Sequence, residues 1–141
     1  ADAGPHPLLS LMSSDDQNST ALDPDGYALI GACFEVYNEL GSGYLEEVYQ
    51  QSLEIELAGR GISFVSQPKL PISYKGHQLR KPYEADFLVR EKIIVEIKSV
   101  KMLLPEHEAQ LLNYLKSTGL RIGYLINFGA APKLDWRRRI R

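Results

Sequence analysis

Two acids and a lysine stand close together in one stretch of the chain, Tyr83-Glu-Ala-Asp-Phe-Leu-Val-Arg-Glu-Lys-Ile-Ile-Val-Glu-Ile-Lys98, as Asp86, Glu96 and Lys98. The apolar halves of this stretch, Tyr83 to Val89 and Ile93 to Val100, read as strands joined at Arg90-Glu91-Lys92. Side chains alternate across a strand, so Glu96 and Lys98 share one face while Ile93, Val95 and Ile97 take the other. An antiparallel hairpin closed by those turn residues pairs Val89 with Ile93, Phe87 with Val95 and Ala85 with Ile97. It sets Asp86 opposite Glu96, with Cβ atoms roughly 4.5–5.5 Å apart, and Glu84 opposite Lys98. A slip of one residue would press carboxylates onto the apolar face, so the pattern itself selects this register.

Ionised groups stand on such strands when they are paired or hold a metal. Two close carboxylates repel, and a hard divalent cation relieves the repulsion by taking oxygen ligands. Bound Mg²⁺ or Mn²⁺ activates water and stabilises charge on a phosphoryl oxygen. Lys98 would then position that water or neutralise the transition state. A structural salt bridge, with Lys98 neutralising both acids, is the other reading of the hairpin alone.

The elements that must carry these residues are marked along the chain. Asp23-Pro24 is an N-cap followed by proline at the first helical position. Tyr27, Ile30, Phe34, Tyr37 and Leu40 recur at helical spacing, and Gly41-Ser42-Gly43 ends that run. A second helix covers Leu45 to Ala58, stopped by Gly59-Arg60-Gly61. Short strands follow at Ile62 to Ser66 and Leu70 to Tyr74, then a turn at Lys75-Gly76, and Gln78 leads into the hairpin. Leu104-Pro105 opens a third helix running to Ser117 and closed by Gly119, and Arg121 to Asn127 reads as a further buried strand. The expected fold is α/β, one mixed β-sheet flanked by helices.

A chain of 141 residues suits one domain. Its formal charge of −2 confines any nucleic-acid surface to a local patch. Cys33, the single cysteine, excludes an internal disulfide and a cysteine-rich zinc site, and its Gly31-Ala32-Cys33 setting suits close helix packing. No apolar run is long enough to span a bilayer, and a cytoplasmic setting is expected. Residues 1–22, polar around Leu8-Leu9-Ser10-Leu11-Met12, read as a disordered or cloning-derived arm, and 23–141 as the single domain.

With these elements placed, the chain resembles the GxxExxY proteins of the PD-(D/E)XK nuclease superfamily. The naming motif stands as Gly43-Tyr-Leu-Glu46-Glu-Val-Tyr49, and the superfamily signature as Asp86 followed by Glu96-Ile97-Lys98. Phe34-Glu35-Val36-Tyr37-Asn38-Glu39-Leu40-Gly41, His107-Glu-Ala-Gln110-Leu-Leu-Asn-Tyr114 and Gly123-Tyr-Leu-Ile-Asn127-Phe-Gly129 add to it, over Asp23 to Ile140. The resemblance implies a restriction-endonuclease-like core with Asp86, Glu96 and the backbone carbonyl of Ile97 as ligands of Mg²⁺ or Mn²⁺. It implies Lys98 as the catalytic lysine and Glu46 as a third carboxylate at the metal or its water. Gln110 and Tyr114 resemble the glutamine motif of RecB-like and Cas4-like exonucleases. The expected activity is therefore metal-dependent hydrolysis of nucleic acid, DNA first, in the exonuclease manner. A structure-selective junction endonuclease and a non-catalytic nucleic-acid-binding module are the alternatives.

Each of these residues has a plainer reading. Glu46 lies in the first turn of its helix, where an acid is favoured by the helix dipole, as adjacent Glu47 also is. Gln110 and Tyr114 share a helix face with His107, which serves as a polar flank if it does not aim at phosphate. Tyr49 is expected in the core with its hydroxyl turned toward the site. Lys69, Arg80 and Lys81 near the meander, with Arg137, Arg138 and Arg139 at the C-terminus, are candidate backbone-phosphate contacts, and Trp136 either stacks on a base or caps the sheet. A homodimer or a protein partner is expected where a duplex must be enclosed.

Overall fold

The computed structural model describes residues 23–141, and the expected N-terminal arm lies outside the described residues. Helix α1 (Pro24–Leu40) begins where Asp23 Oδ1 accepts the Gly26 N–H at 2.7 Å. Pro24 occupies its first turn, and Gly41 at φ 72° stops it. Helix α2 (Glu46–Gly59) follows after a short loop, with Glu46 and Glu47 in its first turn. Tyr49, Leu53 and Leu57 of α2 are fully buried, as are Leu29, Ile30 and Cys33 of α1. Burial pushes the Cys33 thiol far above its ordinary range, which fits an inert packing residue.

The strands run β1 (Phe64–Ser66), β2 (Lys69–Leu70), β3 (Ser73–Tyr74), β4 (His77–Gln78), β5 (Tyr83–Glu84), β6 (Phe87–Val89) and β7 (Ile93–Lys98). Helix α3 (Pro105–Thr118), β8 (Ile122–Asn127) and β9 (Asp135–Ile140) complete the chain. The main sheet has the order β1-β6-β7-β8-β9, with β7 and β8 parallel and the other neighbours antiparallel. One side of it packs on α1 and α2 through Phe87, Ile93, Val95 and Ile97. The opposite side packs on α3, where Ile94 and Leu125 meet Leu111 and Leu115. The result is helix, sheet and helix in three layers.

The hairpin register is the expected one, Val89 opposite Ile93 and Phe87 opposite Val95. Its ladder is shorter than expected, because the strand expected from Tyr83 to Val89 is divided. Tyr83 and Glu84 leave the main sheet as β5 and pair with β2, so Glu84 stands opposite Lys69 and not opposite Lys98. The strand expected from Leu70 to Tyr74 is divided too, and β3 and β4 form a separate ladder around Lys75-Gly76. Pro71 breaks the second of these strands, and Pro68 stands across from the first break, since proline cannot donate to a ladder.

The C-terminal basic run is not a loose tail. It forms β9, an edge strand whose Trp136 is 2% exposed and packed in the main core, so its ring cannot stack on a base. Capping the sheet is the role the structure gives it.

Candidate active site

Asp86 sits one residue before β6, where the β6–β7 ladder has ended. Its side chain replaces the missing backbone partner: the Ile97 N–H donates to Asp86 Oδ2 at 2.6 Å. A strand residue points its N–H and C=O to the same edge, so the Ile97 carbonyl also looks toward Asp86. The Asp86 main chain is fixed from behind. Its carbonyl accepts from the Gln67 N–H at 2.9 Å and from Gln50 Nε2 at 3.0 Å. Gln50, buried on α2, also donates to Ser66 Oγ at 2.9 Å, and that hydroxyl donates to Glu54 Oε2 at 2.5 Å.

Glu96 and Lys98 lie on the α3 side of β7, both half-buried. Glu96 Oε1 accepts the hydroxyl of Tyr83, whose ring is stacked on Tyr114 of α3. The end of β7 beyond Lys98 is clamped to β8 by Asn127, which is fully buried. Asn127 Oδ1 accepts from the N–H groups of Val100 and Gly129, both at 3.0 Å, and its Nδ2 donates to the Val100 carbonyl at 2.8 Å. Gly129 is required at this point. A Cβ there would fall 2.4 Å from the Val100 carbonyl oxygen.

Glu46 reaches the site from the start of α2. The loop ahead of it is held by Tyr49, whose hydroxyl donates to the Gly41 carbonyl at 2.5 Å and accepts the Tyr44 N–H at 3.3 Å. Tyr49 is stacked on Phe128, with centroids 4.6 Å apart. Ser99 Oγ, next to Lys98, donates to the Tyr44 carbonyl at 2.6 Å and ties the same loop to the end of β7. The Tyr49 hydroxyl thus serves the loop that delivers Glu46 and does not itself point into the site.

Burial pushes the Asp86 carboxyl up; the Ile97 N–H opposes this, the Glu46 charge adds to it and Lys98 opposes it again. Glu96 is pushed up to about 7, first by burial and then by the Asp86 charge, against the Tyr83 hydrogen bond and Lys98. Lys98 opposes both shifts, and both carboxyls are raised in spite of it. In front of Glu96 and Lys98 lies an open cleft of about 430 Å³, with Lys69 and Lys81 on the meander side and Gln110 and Tyr114 on the α3 side. Glu84 also lines it, whereas Arg80 is exposed outside its lining. Arg137 and Arg139 pair with Glu108 of α3, and Arg137 also with Asp135, joining β9 to that helix. His107 Nδ1 accepts the Leu104 N–H at 3.0 Å and caps α3.

The donor set fits a small hard cation. Asp86 Oδ2 and Glu96 Oε1 each accept a hydrogen bond within the protein, the two carboxylates lie close enough to interact, and the Ile97 carbonyl adds a neutral oxygen. Among the described residues no three His, Cys, Asp or Glu side chains are grouped to hold an ion. Glu46 is therefore an outer carboxylate in this arrangement, felt by Asp86 through its charge. Magnesium is commonly held by one or two carboxylates and water, so the set suffices.

Two residues of this site were not marked by sequence. Tyr83 would lie on the apolar face if its strand were regular, and Gln50 is a glutamine inside an amphipathic helix with no motif around it. The only sequence signal for Gln50 is its spacing, four residues after Glu46 on the same helix face.

The core is a mixed sheet covered by helices on both sides, with Glu96 and Lys98 at the end of central strand β7 and Asp86 just ahead of the neighbouring β6. The chain belongs to the PD-(D/E)XK nuclease superfamily, whose family model matches residues 24–139. Among solved structures it is similar to the protein titled SSO0001, at 14% identity and a TM-score of 0.54, over 84% of this chain and 78% of that one. It is also similar to an alkaline exonuclease (LHK-Exo) from Laribacter hongkongensis, at 15% identity and a TM-score of 0.43, over 89% of this chain and 73% of that one. No curated protein sequence matches. The restriction-endonuclease-like fold expected from the sequence is the fold observed. Among the described residues no helix is long and apolar enough to cross a membrane.

Proposed function

We propose that this protein is a Mg²⁺- or Mn²⁺-dependent nuclease that hydrolyses phosphodiester bonds in DNA in the exonuclease manner, and that it is a GxxExxY member of its superfamily. The observation that carries the proposal is Glu96 and Lys98 opening on a cleft with further lysines, with the Asp86 carboxylate beside Glu96 and its charge felt there. Asp86, Glu96 and the Ile97 carbonyl would hold the cation, which supplies charge neutralisation at phosphoryl oxygen and a more acidic water.

The remaining steps belong to the chain itself. The Lys98 ammonium offsets charge on the phosphoryl group as the bond to the leaving oxygen breaks. Glu46, exposed at the head of α2, accepts the proton of the attacking water. The Gln110 amide, on the opposite wall, orients a non-bridging phosphate oxygen, and Lys69 and Lys81 hold the neighbouring backbone phosphates. Lys98, Asp86, Glu96 and Glu46 are all present, which favours a working site over a decayed one.

The test compares end-labelled linear, closed circular and branched DNA in Mn²⁺ or Mg²⁺. Loss of nucleotides from linear ends with circles left intact supports the exonuclease. Cleavage of branched DNA alone would replace it with the junction endonuclease.

A further inference from the structure

Helix α2 buries one side in the core and leaves a second apolar stripe uncovered. Leu45, Val48, Ser52 and Ile55 recur at spacings of three and four, which puts them on one helix face. Leu45 is 79% exposed, Val48 36% and Ile55 75%, whereas Tyr49, Leu53 and Leu57 of the same helix are fully buried. The stripe runs for roughly 15 Å, close to three helical turns. Single exposed aliphatic side chains are ordinary, but a row of them in register marks a surface that meets another molecule.

At Ile55 the stripe borders a groove of about 320 Å³ between the two N-terminal helices. Val36 and Leu40 of α1 line it across from Ser52 and Ile55 of α2. Its edges are acidic, with Glu35 and Glu39 exposed on α1 and Glu56 on α2. Among the described residues that line it there is no Lys or Arg, and Arg60, one turn beyond Glu56, is engaged by that carboxylate at 2.6 Å. Glu35 and Glu39 stand four residues apart on one helix, a like-charged spacing that costs α1 stability unless cations come to it.

An apolar floor between acidic edges is complementary to a helix with apolar anchors and basic flanks. A second copy of this chain is the poorer occupant, because a two-fold contact sets the same glutamates against each other. The chain's own Leu8-Leu9-Ser10-Leu11-Met12 is poorer too, since residues 1–22 carry Asp2, Asp15 and Asp16 and no Lys or Arg. Helices α1 and α2 cover one side of the main sheet, and Glu96 and Lys98 stand on the other, so an occupant of the groove leaves the cleft open. We propose that the α1–α2 groove and the α2 stripe are the docking site for a basic amphipathic helix of a partner protein.

The experiment measures peptide binding to the full chain by fluorescence anisotropy. The probe is a synthetic amphipathic helix of about 18 residues, five turns, with leucine on one face and lysine on the other. Its control keeps the leucines and replaces every lysine by glutamate. The chain binds the lysine peptide and not the glutamate peptide. Ile55→Ser, a surface change, leaves the melting temperature and nuclease activity intact and weakens binding by ~10-fold or more. Glu35→Lys combined with Glu39→Lys moves the preference toward the glutamate peptide. Equal binding of the lysine peptide by wild type and Ile55→Ser is unspecific attraction of charges and overturns the proposal, as does no binding by the folded wild type. Self-association in sedimentation that Ile55→Ser abolishes gives the groove to a second copy, and displacement of the probe by a peptide of residues 1–22 gives it to the chain's own arm. Either result overturns the basic partner.

Discussion

Glu96→Gln should make the metal-free protein more stable at neutral and alkaline pH, although it removes a proposed ligand. The folded chain raises the Glu96 carboxyl from an ordinary value of 4.5 to about 7, through burial and the Asp86 charge. Between those two values the folded state binds more protons than the unfolded state, so stability falls as pH rises. At about 1.4 kcal/mol per tenfold change in proton affinity, the rise corresponds to roughly 3 kcal/mol, fully developed above pH ~8 and absent below pH ~4. Asp86 and Glu96 titrate as a pair, so the penalty belongs to both. Glutamine keeps an oxygen that accepts the Tyr83 hydroxyl and carries no charge. For a domain of this size the difference amounts to a melting-temperature gain on the order of 10 °C. The assay is thermal unfolding in EDTA from pH 4 to 9, wild type beside variant. The two curves should meet at acid pH and separate steadily through pH 5 to 8, and added Mn²⁺ should close the gap by stabilising wild type alone. Parallel curves across that range would refute the electrostatic reasoning.

Other expectations follow from the same geometry. Gln50→Leu removes donors to the Asp86 carbonyl and to Ser66 inside the protein, and should cost about 1–3 kcal/mol in urea unfolding, with a larger fall in nuclease activity than in stability. Gly129→Ala places a methyl against the Val100 carbonyl at 2.4 Å and should destabilise by roughly 2 kcal/mol or more, with loss of amide-exchange protection at the ends of β7 and β8. Metal binding near pH 7 should release protons, because Glu96 must ionise to ligate; calorimetry in buffers of different ionisation enthalpy reads this directly, and a buffer-independent heat would count against it.

Much of the site was legible in the sequence because it lies where local rules hold. Asp23-Pro24 and Gly41 bound α1 as their capping chemistry requires, and the alternation of Ile93, Val95 and Ile97 against Glu96 and Lys98 fixed both the β7 face and the β6 register. The rest depended on breaks in periodicity. The strand parity that put Tyr83 on the face away from Glu96 is lost between Glu84 and Phe87, where the chain changes ladders, so Tyr83 and Ala85 both turn to the α3 side. In β9, consecutive arginines hide the in-and-out pattern, and Trp136 alone marks the buried side. Gln50 reads as an ordinary helical polar residue until the fold brings Asp86 behind it.

The most direct test of the central claim incubates purified protein with labelled single-stranded, duplex and branched DNA in Mn²⁺, Mg²⁺ or EDTA, beside Lys98→Ala. The expected result is cleavage that requires the divalent ion and disappears in the folded variant. Intact substrates with a folded, metal-bound wild type, or equal cleavage by Lys98→Ala, would contradict it.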